Sequence, residues 1–300
     1  MTDLSIIIVN WNTRDLLKEC LASIFRHQPD FSLQVIVVDN ASGDGSREMI
    51  RQDFSSVQLI ENLDNFGYVV ANNQGGHVAM GRFLLFLNPD TLVRAGTLAG
   101  AVAFMEQHPE AGVMGCRTLN ADGSLQATAF AFPNQLRVFA YVLGLNRIFK
   151  LSRFTDHSLL RTADYVQGSF LIIKKELFND CSGFDERFFI YADEVDLCMR
   201  VKEKGFMIYY YPGISISHYG GGSGRNSLVL LGHFIDSHIA LYKKYRSPRE
   251  EQKLLRAMRS ALRLRFFLEA VFSPRRFRGR KKAMKELLRD LPLAHAGKNA

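Results

Sequence analysis

Along the first 90 residues, short apolar runs alternate with stretches of helical spacing, and each run stops at a polar loop. The runs are Leu4-Ser5-Ile6-Ile7-Ile8-Val9, Val35–Val38, Val57–Glu61 and Phe83–Leu87. The first two are β-branched and continuous, as strands buried on both faces should be, and Phe83–Leu87 is a short apolar run closed by a turn signal. Between them, Leu16, Leu17, Cys20, Leu21, Ile24 and Phe25 recur at helical spacing after Thr13, a residue type suited to an N-cap. Further helices are expected over 46–52 and around Ala71, Asn72, Asn73, Gly75 and Gly76. Strands alternating with helices predict an α/β fold with a mostly parallel central sheet flanked by helices and right-handed crossovers. The loops holding Asn10, Asn12, Asp39, Asn65 and Asp90 should then gather on one edge of the sheet, although any one polar loop after a buried strand is ordinary.

The second half is patterned less cleanly. A helix is expected from Thr91 to His108, then a short strand at Gly112–Gly115. Residues 120–163 carry Phe130, Phe132, Phe139, Tyr141, Phe149 and Phe154 with basic residues between them, which suits an irregular core segment or a flap. Tyr165–Ile173 reads as a strand, as do Phe206–Tyr211 and Ile214–His218. Helical spacing returns at Asn226–Tyr245, with Leu230, Leu231, Phe234, Ile235, Ile239 and Tyr242 on one side.

Candidate chemistry sits at the strand ends. Pro89 has no N–H for a ladder, so the run Phe83–Leu87 must end there and leave Asp90 just past its carboxyl end. Ligands of open α/β sheets bind outside such ends, and a carboxylate there can hold a hard cation that in turn holds a diphosphate. Asn-Pro-Asp is also a plain turn former. No G-x-G-x-x-G follows the first strand and no G-x-x-x-x-G-K-[ST] occurs, which removes dinucleotide-fold and P-loop ways of holding phosphate. Asp193, Glu194 and Asp196 open a helical run. One carboxylate suffices for a helix start, whereas three within four positions raise one another's proton affinity, as suits a general base. His218 lies past another strand end, before a glycine-rich stretch, where imidazole beside a carboxylate could complete a metal site.

Charge is unevenly spread. The formal net charge is +8. Residues 243–300 hold 18 Lys and Arg against 5 Asp and Glu, a net +13, which leaves residues 1–242 at −5. Leu254, Leu255, Met258, Leu262, Phe266 and Phe267 interleave with Arg256, Arg259, Arg263 and Arg265 before a dense Arg275–Lys282 cluster. Such a tail suits an anionic membrane surface; nucleic acid is the alternative polyanion. Four scattered cysteines without metal spacing read as buried thiols in a reducing compartment, and no apolar run approaches the ~20 residues of a membrane span.

These segments together resemble the family 2 glycosyltransferases of the GT-A fold, in particular the bacterial rhamnosyltransferase-like branch. The matching stretches are Ser5–Thr13, Val35–Ser46, Asn65–Gly76, Phe83–Asp90, Gly183–Gly205 and His218 with its glycines, across residues 3–245. The resemblance implies a GT-A domain over 1–245, with a nucleotide-sugar part to about 118 and an acceptor part beyond, followed by a basic helical tail over 246–300. It implies that Asp39 and the first loop (Asn10, Asn12), with Asn65 and Asn72, bind the nucleotide. It implies that Asp90 holds Mg or Mn with His218 as a further ligand, and that Glu194 is the catalytic base with Asp193 and Asp196 beside it. The expected reaction is inverting transfer from a nucleotide-sugar, dTDP-rhamnose before UDP-hexose, to a glycan or polyprenyl-linked glycan in surface-polysaccharide assembly. The expected place is the cytoplasm, peripheral on the inner face of the membrane. Two departures stand out. Asn88 replaces the first acid of the usual Asp-x-Asp, and Asp193-Glu194 stands where many members read Glu-Asp, so both carboxylates stay candidates for the base. The alternative functions are an inactive nucleotide-sugar-binding or glycan-binding member and a sugar nucleotidyltransferase; the latter would want a Gly-rich basic loop after the first strand, which is missing.

Overall fold

The computed structural model describes residues 2–145, 157–220, 227–272 and 274–291. In chain order the elements begin β1 (Leu4–Asn10), α1 (Arg14–Arg26), β2 (Leu33–Asn40), α2 (Ser46–Asp53), β3 (Gln58–Asn62), α3 (Gly67–Val78), β4 (Phe83–Leu87), β5 (Thr91–Val93), α4 (Thr97–Gln107) and β6 (Ala111–Leu119). They continue with β7 (Leu125–Gln126), β8 (Ala129–Phe130), α5 (Gln135–Leu143), β9 (Arg161–Thr162), β10 (Tyr165–Val166), β11 (Phe170–Lys174), α6 (Lys175–Asp180), α7 (Asp193–Glu203) and β12 (Met207–His218). The last three are α8 (Ser227–Tyr245), α9 (Pro248–Phe272) and α10 (Pro274–Asp290).

The chain divides into two compact units. The first comprises residues 1–131, 153–189 and 193–225 and is built on a sheet in the order β3-β2-β1-β4-β11-β6-β12-β5. The half β3-β2-β1-β4 is parallel throughout; β11 enters antiparallel between β4 and β6, and β12 runs parallel to β6. Every residue of β1 is buried, which is why its sequence is a continuous apolar run. Register sets the site: Asn10 lies opposite Asp39, Asn40 opposite Asn62, and Ile8 opposite Leu87. The polar loops therefore do gather on one sheet edge, as the strand–helix alternation predicts.

Several elements differ from their sequence expectation. The helix expected from Thr91 starts only at Thr97, because Thr91-Leu92-Val93 pairs antiparallel with His218-Ser217-Ile216. That pairing anchors the chain immediately after Asp90. β12 is one strand where two were expected, with a register shift between Tyr211 and Ser215 around Pro212, which lacks an N–H. Tyr165–Ile173 is broken into β10 and β11 at Gln167-Gly168-Ser169. Thr13 does precede α1, but its hydroxyl donates to Asn10 Oδ1 at 2.7 Å, and Asp44 Oδ2 accepts the Arg14 N–H instead.

The second unit comprises residues 132–152, 190–192 and 226–300. Its core joins Val138 and Val142 of α5 to Leu228, Leu231, Ile235 and Ile239 of α8, to Leu254, Leu255, Met258 and Leu262 of α9, and to Met284 of α10. By packing, α8 thus belongs with the tail, whereas the resemblance drew the boundary at 245. The flap-or-core segment is partly built of β7, β8, α5 and β9, while Phe149, Phe154 and the glycine run from 221 onward lie outside the described residues. No helix among the described residues is long and apolar enough to cross a membrane.

Candidate active site

The first loop cluster is tied together by its own side chains. Asn10 Nδ2 donates to Asp39 Oδ2 at 2.8 Å and to Ser42 Oγ at 3.0 Å. Asp39 Oδ1 accepts the Ser42 N–H at 2.9 Å and lies 3.5 Å from the Arg47 guanidinium. Asn10 and Asp39 are fully buried, so they hold β1 and β2 loops in a fixed relation. Asn12, in a left-handed conformation with φ 54°, accepts the Gly43 N–H at 2.8 Å. Asn65 accepts the Gly67 N–H at the start of α3, and Asn72, buried one turn later, donates to the Tyr68 carbonyl. The residues expected on the nucleotide side are therefore brought to one edge, each bonded within the protein. Trp11, which the sequence reading left unused, stands exposed between Asn10 and Asn12.

The second cluster is the pair Asp90–His218, with Oδ1 and Nε2 3.2 Å apart and both residues buried. Their closeness follows from β5 pairing with the end of β12. A one-way chain of hydrogen bonds orients the imidazole. Gln126 Nε2 donates to Asn120 Oδ1 at 3.2 Å, which turns Gln126 Oε1 towards His218 Nδ1, 2.7 Å away. Nδ1 then donates to that oxygen, and Nε2 faces Asp90 and the Asn88 amide, whose Nδ2 is 3.4 Å off. Asn88 Oδ1 in turn accepts from the Tyr68 phenol at 3.4 Å, a hydroxyl also 3.3 Å from the Gly168 carbonyl. An asparagine at 88 is intelligible on this geometry: an amide can donate towards Nε2 and accept from Tyr68, whereas a carboxylate can only accept.

The donors at 90 and 218 fit one divalent cation. Two adjacent ligands of a six-coordinate ion with bonds of about 2.1 Å lie about 3 Å apart, close to the observed separation. Among the described residues no group of three or more His, Cys, Asp and Glu is placed to hold a metal.

The third cluster opens α7. Tyr191 and Ala192 both take left-handed backbone, φ 70° and 61°, immediately before Asp193, a conformation that costs about 1–2 kcal/mol per non-glycine residue. Asp193 and Glu194 follow in the first helical turn, side by side in sequence. Burial pushes the Asp193 carboxyl up to about 6. Burial, then the neighbouring Asp193 charge, lifts Glu194 well above the ordinary range. Asp193 is nearly inaccessible, while Glu194 is only half-buried and reachable. Asp196 is fully buried and its Oδ2 is gripped by Arg200 Nε at 2.8 Å and Nη2 at 2.7 Å. Arg200 also donates to the carbonyls of Cys181 and Gly183, so the third acid ties α7 to the preceding turn. The Tyr68 phenol links the clusters: burial first, then Asp193 and Glu194, and more weakly Asp90, push its proton affinity up. Tyr68, Gln126 and Asn88 are the site residues that sequence reasoning did not assign.

Loops gathered at the parallel sheet edge, a carboxylate–imidazole pair and a pair of adjacent carboxyls of raised proton affinity suit an enzyme of group transfer. The family description "Glycosyl transferase family 2" matches residues 5–181, more than half of the chain, and the chain belongs to that family. It is 27% identical over 307 residues to the N-acetylglucosaminyl-diphospho-decaprenol L-rhamnosyltransferase of Mycobacterium tuberculosis, covering 94% of this chain and 97% of that one. It is 26% identical over 231 residues to the rhamnosyltransferase WbbL of Escherichia coli, covering 74% and 85%. Among solved structures it is similar to the Pyrobaculum calidifontis mannosyltransferase PcManGT in complex with GDP-Man and Mn2+, with TM-score 0.59, 20% identity and coverage of 95% and 84%. It is also similar to residues 1–349 of Staphylococcus aureus TarS, with TM-score 0.53, 15% identity and coverage of 96% and 89%. The fold is thus of the GT-A type, and membership of a glycosyltransferase family sets aside the nucleotidyltransferase reading.

Proposed function

We propose that this glycosyltransferase moves a deoxyhexose, rhamnose from dTDP-rhamnose before a hexose from UDP, onto a glycan carried by a polyprenyl diphosphate, with inversion at the anomeric carbon. The full-length likeness to a decaprenol-linked rhamnosyltransferase supports the donor and acceptor classes. The observation that carries the chemistry is the pair of adjacent carboxyls Asp193 and Glu194 at the start of α7, where burial raises the proton affinity of both.

Glu194 takes the proton of the acceptor hydroxyl as that oxygen forms its bond to the anomeric carbon and the bond to the departing diphosphate breaks; no covalent enzyme intermediate is needed. Asp193, buried behind it, raises its proton affinity towards the range where a base works best. Asp90 and His218 would hold Mg or Mn, with remaining ligands from the diphosphate and water. That ion, when bound, supplies positive charge to the leaving group. The Asn10–Asp39–Ser42 frame and Asn12, with Asn65 just before α3 and Asn72 within it, shape the nucleotide loops. Asp196 keeps α7 in place through Arg200. The excess of cations in the tail supports contact with an anionic membrane surface, where a polyprenyl-linked acceptor would be met.

Glu194→Gln keeps shape and removes the base. Transfer should fall by about 100-fold to 10,000-fold while the dissociation constant for the donor nucleotide changes little. Rapid-quench turnover and calorimetry on the same preparation check this, and near-normal turnover would remove Glu194 from the role of base.

A further inference from the structure

The apolar residues of the tail, which form one series in the sequence, fall on two different faces of α9. Leu254, Leu255, Met258, Ala261 and Leu262 are buried in the helical unit's core. Leu264, Phe267, Leu268 and Val271 follow at i, i+3, i+4 and i+7 on an adjoining face, continued by Phe272, and all five remain exposed. Phe267 is 61% and Phe272 76% exposed, which is far from the usual fate of phenylalanine. Arg256 and Arg263 flank this stripe on α9 itself, exposed and without an ion pair among the described residues. Arg278, Lys281 and Lys282, also exposed, follow on α10. Between residues 252 and 285 there are 12 Lys and Arg and one acid, Glu269. That acid is neutralised by Arg265 at 3.1 Å and Arg280 at 3.0 Å.

We propose that the last turns of α9 are a wedge that enters the acyl region of an anionic bilayer, with Phe267, Val271 and Phe272 below the headgroups and the flanking cations among them. This rests on the membrane-surface reading above and deepens it from adhesion to insertion. The charge pattern selects the occupant. A second copy would bring two strongly cationic faces together, and a nucleic acid offers nothing for Leu264, Leu268 and Val271 to bury against. A bilayer rich in anionic lipid takes both the apolar stripe and its basic rim.

The test uses the full chain with phosphatidylglycerol-containing and purely phosphatidylcholine vesicles. Wild-type protein should sediment with the anionic vesicles and stay largely bound at about 0.5 M salt, where surface attraction is screened. Phe267→Ser combined with Phe272→Ser should weaken that salt-resistant binding by about tenfold or more, while binding of the donor nucleotide is unchanged. Phe267→Trp should be quenched by bromine placed on the acyl chains, above the background of Trp11. Binding that is abolished by salt, without quenching, would overturn insertion and leave surface adhesion standing. No vesicle binding at all would overturn both, and nucleotide binding in the same sample would show whether the enzyme reading survives. Tighter binding to duplex DNA or RNA than to vesicles, or a concentration-dependent dimer that protects the tryptophan, would also overturn the proposal.

Discussion

Asp193 and Glu194 compete for one proton inside a poorly solvated site, and the consequences differ for stability and for rate. Asp193 ionises normally near 3.8 when unfolded but only at about 6 when folded, chiefly because burial penalises its charge. A group whose folded proton affinity is raised contributes stability below its unfolded pKa and loses it as pH rises through the folded one. Asp193→Asn should therefore stabilise the fold at pH 8 by on the order of 2 kcal/mol and have little effect at pH 4, read by denaturant melts at the two pH values. The same change removes a negative neighbour from Glu194, so the acid limb of the transfer rate should move to lower pH. Equal effects on stability at both pH values, or an unmoved limb, would mean the pair is not coupled in this way. The acids themselves were visible in the sequence because they crowd one helix start. Asp196 could not be told apart there, since its partner Arg200 sets it aside only through folded geometry. Gln126 carried no signal at all: it lies 92 positions before His218 and gains meaning only when β7 pairs with β6 and turns its amide onto the imidazole.

At the scale of elements, the parallel half of the sheet was legible because its strands are buried on both faces and so are apolar without alternation. The stretches after it were not, for local reasons. Thr91–Val93 is too short to declare itself as a strand against the helix that follows, and its ladder partner lies over 120 residues away. Pro212 and Gly213 read as a break between strands, yet β12 absorbs them as a bulge. Helix α3 shows the opposite case, a helix that keeps Gly75 and Gly76 in spite of their poor propensity. A Cβ on Gly75 would stand 2.4 Å from Ile7 Cγ2 in the middle of β1, so the glycine permits close seating of α3 on the sheet. Gly75→Ala should destabilise the fold by about 1–3 kcal/mol despite its better helix propensity, and move α3 away from the loops at its start. An unchanged melting midpoint would show that α3 has slack against β1.

For the whole molecule, the sequence divides the chain by charge into a mildly acidic body and a basic tail, whereas packing groups residues 226–300 with 132–152 and 190–192. Helix α8 packs with α9 in the second unit, because its apolar side meets Leu254, Leu255 and Met258. The family follows from the first unit, and the cationic tail of the second is where the proposed contact with a membrane surface would lie. On the proposed function, the loop edge and the Asp90–His218 pair together receive a nucleoside diphosphate with its cation. Titration calorimetry of the wild-type protein with dTDP and with UDP, each with and without Mn, tests it most directly. Manganese-dependent binding of one nucleotide, on the order of 10 μM or tighter, is the predicted result and fixes the donor class. Failure of both nucleotides to bind with the metal present would contradict a diphosphate site at this edge.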